Sequence, residues 1–101
     1  MADTLKCLGK GTLGTSTTTL YTVPASTTAI VKEIVLCNKT ASDATVTITF
    51  DGTNIISGKT VKTNDTYVIE FHSILGAGKI IAGLAGTANA IDYYISGIEV
   101  V

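Results

Sequence analysis

The chain has no Arg, Gln or Trp, and among its 101 residues it has one His and one Pro. Only 15 % of the residues are charged, whereas about 25 % is usual in soluble domains. The seven cations are all Lys, they are scattered along the chain, and the formal net charge is −1, so no basic patch for a phosphate backbone is expected. Residues suited to general acid–base chemistry are nearly absent. The sequence therefore argues against nucleic-acid binding and predicts a protein that is not an enzyme.

Long apolar runs are missing as well. The first ten residues contain no apolar stretch of signal-peptide length, which is about 7–15 residues. The longest aliphatic run, residues 34–37, is far shorter than the roughly 20 residues of a membrane helix. We therefore expect a soluble protein that is not secreted, and in a reducing compartment Cys7 and Cys37 are expected to stay unpaired.

Residues that favour β-strands dominate the composition. Thr, Ile and Val together make up 38 of the 101 residues, and 46 % of the chain is hydrophobic. β-Branched side chains pack well on a pleated surface and lose rotamer freedom in a helix. A chain of this length with this apolar content forms one domain around one core and is not disordered.

Short strands alternate with turns along the chain. The strands are predicted at residues 16–23, 27–38, 45–50, 53–57, 66–71, 80–84 and 90–101. In the clearest of them, Val46, Ile48 and Phe50 face the core while three Thr face outward. Asp51-Gly52 predicts a hairpin turn, Gly58-Lys59 predicts another turn, and residues 73–79 are predicted to be a glycine-bounded connection. In the strand before that connection, Tyr67, Ile69 and Phe71 are predicted to share one face. The predicted fold is all-β, an antiparallel β-sandwich of jelly-roll type with about seven to eight strands and at most one helical turn. A barrel of similar size would show almost the same pattern.

The sequence also predicts which side chains of residues 27–38 share a face and where the domain begins. Strict alternation over residues 27–38 places Ile30, Lys32, Ile34 and Leu36 on one face. Residues 1–14 contain three glycines and are predicted to be a flexible N-terminal arm, either a lead-in or a segment that becomes ordered against a neighbour. The single sandwich domain is then predicted to cover residues 15–101.

A chemical site is not apparent in this sequence. His72, with Glu70 and Ser73 beside it, offers the residue types of a nucleophile and its base, but neighbours on a strand point to opposite faces. A zinc site built from His72, Cys7 and Cys37 has one ligand too few and lacks paired spacing. We therefore predict no catalytic residue, no metal ligand and no cofactor.

The apolar content of the chain predicts a surface that binds other subunits. The aliphatic content exceeds what one small core absorbs, so an exposed apolar area is expected, and such areas mark interfaces. Homo-oligomerisation, with a trimer favoured, would cover this area and the sheet edges. The candidate interface residues are Leu5, Leu8, Leu13, Leu20, Tyr21, Ile55, Ile56 and Tyr94.

The run 20–38 contains a TVPA turn and an IVKEIVLCN strand, and a TVTI strand follows it. With these motifs, residues 16–101 resemble small β-sandwich proteins of tailed-bacteriophage virions, whose opening hairpin is similar to the run 20–38. The runs 75–80 (LGAGKI) and 95–100 (ISGIEV) are similar to the endings of that group. Lys79 stands where the group more often has an acidic residue.

The resemblance implies a non-enzymatic virion protein of the head-decoration, fibre-attachment or tail-associated type. Its implied partners are capsid, neck or tail proteins, it carries no cofactor, and it does not bind nucleic acid or membrane. It would be assembled in the host bacterial cytoplasm. One alternative is a carbohydrate-binding module for host-surface attachment, which predicts a groove with clustered Tyr and Asp; a second is a small hydrolase or metal enzyme.

Overall fold

A computed structural model describes residues 3–101 as eight β-strands, with no helix among these residues. The strands are β1 (Asp3–Thr12), β2 (Thr18–Thr22), β3 (Thr28–Asn38), β4 (Ala44–Phe50), β5 (Thr53–Val61), β6 (Thr66–Leu75), β7 (Ile80–Ala85) and β8 (Ile91–Val100). They form two four-stranded sheets. Sheet I has the order β1-β8-β3-β6, and sheet II has the order β2-β7-β4-β5.

The strand order is that of a jelly roll. All neighbours are antiparallel, and β1 pairs with β8, β2 with β7, β3 with β6 and β4 with β5, as in one long hairpin rolled into two layers. The predicted all-β antiparallel sandwich is therefore confirmed, with eight strands. β4 alternates as predicted, and its inward side chains are buried. The Asp51-Gly52 hairpin turn is also confirmed, because both residues have positive φ, 51° and 76°, as a type I′ turn requires.

The core lies between the two sheets and is mostly aliphatic. Its completely buried large side chains include Leu13, Val23, Val31, Ile34, Leu36, Val46, Ile48, Ile81, Ile91 and Ile95. Phe50 of sheet II and Phe71 of sheet I meet edge to face, with ring centroids 5.4 Å apart. Such pairs contribute about 0.5–1.5 kcal/mol beyond the area that they bury.

The predicted flexible arm is wrong for residues 3–14. Residues 3–12 are β1, which pairs with β8 from Asp3 opposite Val100 to Thr12 opposite Asp92. Leu8 and Leu13 are buried in the core, so the sandwich domain begins before the predicted residue 15. Residues 1–2 of the predicted arm lie outside the described residues.

Two of the three glycines that suggested flexibility are needed for close packing instead. A Cβ atom on Gly9 would lie 2.8 Å from the carbonyl oxygen of Leu20, and one on Gly11 would lie 3.3 Å from the hydroxyl of Tyr93. The ring of Tyr93 therefore covers the inner side of β1. Glycine within a strand often marks such an approach.

The predicted faces of β3 are wrong over its first half. A register shift at Lys32 separates Val31, opposite Gly97, from Glu33, opposite Ser96. This bulge inserts one residue and reverses the alternation. Ala29 and Val31 therefore point inward before it, and Ile34 and Leu36 after it, while Ile30 and Lys32 leave the core face.

Two predicted connections belong to strands. Gly58-Lys59 is a bulge inside β5, where Gly58 has φ 62° and donates its N–H to Thr47 Oγ1 at 3.1 Å. Residues 73–75 continue β6 to Leu75. The shared face of Tyr67, Ile69 and Phe71 is confirmed, because all three pack against the core.

Candidate functional site

The two outer faces of the sandwich differ in chemistry. On sheet II, threonines of β2, β4 and β5 make up much of the outer face. These threonines are Thr19, Thr22, Thr45, Thr47, Thr49 and Thr60. On sheet I, apolar rows and a polar row alternate along the strands, and each row runs across the sheet. The outer face of sheet I is therefore the candidate interaction surface.

An aliphatic row crosses sheet I near one end. The strand register places Leu5 opposite Ile98, Ile98 opposite Ile30, and Ile30 opposite Ile74. Leu5 at one edge is 80 % exposed and Ile74 at the other is 71 % exposed, while the two central side chains are half-buried by their neighbours. Soluble proteins rarely expose a contiguous apolar patch without using it as an interface.

A second apolar row crosses the same face farther along the strands. Tyr94 lies opposite Val35, which lies opposite Val68. Tyr94 is 46 % exposed and Val68 is 49 % exposed. Lys10 continues this row onto β1. The outer face of sheet I therefore carries two apolar rows that run across the strands.

A polar belt separates the two rows. Ser96, Glu33 and Glu70 follow one another in register, and His72 lies on the same face of β6. Like charges directly opposite each other on a sheet are destabilising, so Glu33 and Glu70 repel. Within residues 3–101 the three side-chain ion pairs lie elsewhere on the chain.

The predicted interface residues fall into two groups. Leu5, Ile55 and Tyr94 are exposed. The prediction is corrected for Leu8, Leu13, Tyr21 and Ile56, which are buried in the core, and for Leu20, which packs against it. Leu8 is buried because β1 is a strand of sheet I and this side chain points into the core. Leu13, directly after β1, is buried in the core as well. Apart from Tyr94, sequence reasoning missed the members of the two rows on β3, β6 and β8, because their alignment depends on the register of distant strands.

Tyr21 illustrates this correction. Its hydroxyl donates a 2.5 Å hydrogen bond to Glu99 Oε2, and Lys6 Nζ lies 3.3 Å from Glu99 Oε1. Burial raises the pKa of Tyr21 well above its usual range, and the hydrogen bond and charge of Glu99 raise it further. Tyr21 is therefore a structural link between the sheets.

A shallow depression of about 400 Å³ lies where β1 ends and β8 begins. It is lined by Lys10, Gly11, Thr12, Asp92 and Tyr93. Asp92 accepts a 2.6 Å hydrogen bond from Thr12 and lies 3.0 Å from Lys39 Nζ. These two contacts, with Thr12 the larger cause, lower the pKa of Asp92. The depression brings one Tyr and one Asp together, and the carboxylate is already engaged.

The remaining candidate chemistry is dispersed. His72 is exposed on the outer face of β6, whereas Ser73 is on the inner face. Cys7 and Cys37 are free, and β8 lies between their strands. Residues 3–101 hold no group of three His, Cys, Asp or Glu side chains close enough to share a metal ion. The same residues include no helix with the length and apolarity needed to cross a bilayer.

No protein-family model matches this chain, and no curated protein is significantly similar to it. The outer face of sheet I and the resemblance carried by residues 16–101 are therefore the two starting points for a function.

Proposed function

We propose that this protein is a non-enzymatic structural component of a tailed-bacteriophage virion. It acts as an auxiliary capsid (head decoration) protein or as a fibre- or tail-attachment module, and it binds neighbouring virion proteins through the outer face of sheet I. The observation that carries the proposal is the aliphatic row of Leu5, Ile98, Ile30 and Ile74. The resemblance of residues 16–101 to small virion β-sandwiches supplies the kind of particle.

The energetics of the row favour a partner. Burying an exposed aliphatic side chain such as Leu5 or Ile74 contributes about 1.5–3 kcal/mol. The row lies on a hydrogen-bonded sheet over a packed core, so little conformational entropy is lost when it is covered. Ordered association on a particle is the setting in which a rigid flat face of this kind is useful.

The contrast between the two faces supports attachment from one side. The threonines of sheet II hydrogen-bond water and can stay exposed when the opposite face is covered. A protein that binds the particle through sheet I would therefore leave the uncharged threonines of sheet II in contact with solvent. With few charges on the chain, recognition depends on apolar area and shape more than on electrostatic steering.

The test is binding to particles of the virus that encodes this chain. Density-gradient particles are probed with an antibody against the chain by blotting and immunogold electron microscopy. We expect a fixed copy number per particle, and Leu5→Lys combined with Ile98→Lys to lower it at least tenfold. Thr60→Lys, on the outer face of sheet II, is the matched control and should leave occupancy unchanged. Absence of the chain from washed particles contradicts the proposal.

A carbohydrate-binding module is the second candidate function. The depression is the observation in its favour, since both Tyr93 and Asp92 line it. Binding on a glycan array that is lost on Asp92→Ala would support it. Silence across the array, together with particle binding, favours the virion protein.

A further inference from the structure

The free edge of β6 has fewer of the features that protect sheet edges than the other edge strands have, and its one irregularity is a register shift against β3, where Phe71 and His72 lie opposite Lys32. β6 pairs with β3 on one side only, and its ten residues contain no Lys, Gly or Pro. The loop and turn backbone hydrogen bonds of residues 3–101 do not involve residues 66–75. A long edge strand of this composition is a template for pairing with another strand.

The other three edge strands are better protected. β1 carries Lys6 and Lys10 and has a bulge at Leu8. β5 carries Lys59 and the bulge at Gly58. β2 is only five residues long and lies close to β1. Lysines, bulges and short length all discourage pairing between molecules. β6 has a register shift but no Lys, and it is ten residues long, so it is the least protected of the four edges.

The sequence of β6 is self-complementary when two copies run antiparallel about Phe71. In this register Val68 lies opposite Ile74 of the second copy, and Glu70 lies opposite His72 of the second copy. Two-fold symmetry makes each pair occur twice. All four side chains are exposed on the outer face, and cross-strand aliphatic and opposite-charge pairs stabilise a sheet. The imidazole of His72 can donate a hydrogen bond to the carboxylate in either protonation state.

Neighbouring registers lose these pairs. A register centred on Glu70 sets the two Glu70 carboxylates against each other. One centred on His72 sets the two imidazoles against each other and places Glu70 opposite Ile74. A shift by a single residue would place outward side chains opposite inward ones. The register about Phe71 is therefore the favoured one.

We propose that β6 pairs with β6 of a second copy of this chain, antiparallel about Phe71, to form one eight-stranded sheet from two copies of sheet I. The aliphatic row that ends at Ile74 then continues into Val68, Val35 and Tyr94 of the second copy. This pairing generates a two-fold dimer instead of the trimer favoured from the sequence. The pairing itself does not depend on the proposed function; only the binding of virion proteins by the enlarged outer face rests on it.

Sedimentation velocity of the full chain tests the dimer. We expect a species of twice the 10.4 kDa chain mass. His72→Glu should raise the dimer dissociation constant at least tenfold, because it replaces two favourable pairs by two like-charge pairs. The double variant Glu70→Lys with His72→Glu should restore it. A wild-type chain that stays monomeric at high concentration, or a dimer that His72→Glu does not weaken, overturns the proposal.

Leu5→Lys separates this inference from the proposed function. Leu5 lies on β1, at the opposite edge of sheet I, so the variant should remain a dimer while its particle binding falls. If Leu5→Lys abolishes the dimer and His72→Glu does not, two sheets pack face to face and the edge pairing is wrong.

A cross-link fixes the register and does not depend on the charge variants. In a Cys7→Ser, Cys37→Ser background, Val68→Cys with Ile74→Cys should oxidise to a covalent dimer, since opposite positions have Cβ atoms about 4.5–5.5 Å apart. Val68→Cys alone should not, because its two copies would lie six residues apart along the strands, about 20 Å. A covalent dimer of the single variant, or none of the double variant, contradicts the register.

Discussion

The hydroxyl of Tyr21 donates a 2.5 Å hydrogen bond to Glu99 Oε2, and this bond joins β2 of sheet II to β8 of sheet I. The carboxylate points into the space between the sheets, where an unpaired charge would be costly. Lys6, 3.3 Å from its other oxygen, completes the arrangement. The two sheets are thus joined at this end by a polar link as well as by the aliphatic core.

Tyr21→Phe should lower the free energy of unfolding by about 1.5–3 kcal/mol, the range for a hydrogen bond to a charged group. The ring stays, so packing is kept, but Glu99 loses a donor. Equilibrium denaturation in urea measures the change. Tyr94→Phe, on the exposed outer face of sheet I, is the control and should change stability by less than about 0.5 kcal/mol. Equal effects of the two substitutions would contradict the role of the link.

The same bond predicts a loss of stability at alkaline pH. Burial, together with Glu99, raises the pKa of Tyr21 above its ordinary value of 10.0. Above pH 10 the unfolded chain releases a proton that the folded chain keeps, so this contribution to stability is complete below pH 10 and falls as the pH rises further. The difference in unfolding free energy between wild type and Tyr21→Phe should shrink by up to roughly 1.4 kcal/mol per pH unit above 10. A difference that stays constant from pH 8 to 11 would show that Tyr21 ionises freely in the fold.

Asn38→Ala should destabilise the sandwich by about 2–4 kcal/mol. The amide of Asn38 is completely buried at the end of β3, and its Nδ2 donates to the carbonyl oxygens of Ser42 and Val61, each at 2.9 Å. Removing it leaves both carbonyls without this donor. Thermal unfolding measures the effect, with Asn54→Ala on β5 as the exposed control. A loss no larger than that of the control would mean that water replaces the amide.

Gly97→Ala should cost about 1–3 kcal/mol or more, because its Cβ would meet packed atoms. The atom would lie 2.7 Å from Leu8 Cδ1 and would also press against the carbonyl oxygen of Ile30. Gly14→Ala is the control, since its Cβ would have no neighbour within 4 Å. We expect a clear drop in the melting temperature for the first substitution only. Similar melting temperatures would show that β8 shifts to make room.

The interaction face shows where sequence reasoning was successful and where it was not. Leu5 and Tyr94 were expected at an interface and are exposed on sheet I. Ile30 was assigned to the face of Ile34 and was not recognised, because the alternation assumed no bulge at Lys32. Ile74 was placed in a connection, because the glycines that follow it suggested that the strand had already ended.

The sequence by itself determined that the chain forms strands, where most of them lie, and where Asp51-Gly52 reverses the chain. These features depend on β-branched side chains, period-two alternation and positive φ, which act over a few residues. The tertiary structure decided that residues 3–12 form an edge strand and that Leu5, Ile98, Ile30 and Ile74 align into one row. That alignment depends on register and bulges between strands far apart in the chain, which only packing against a common core can set.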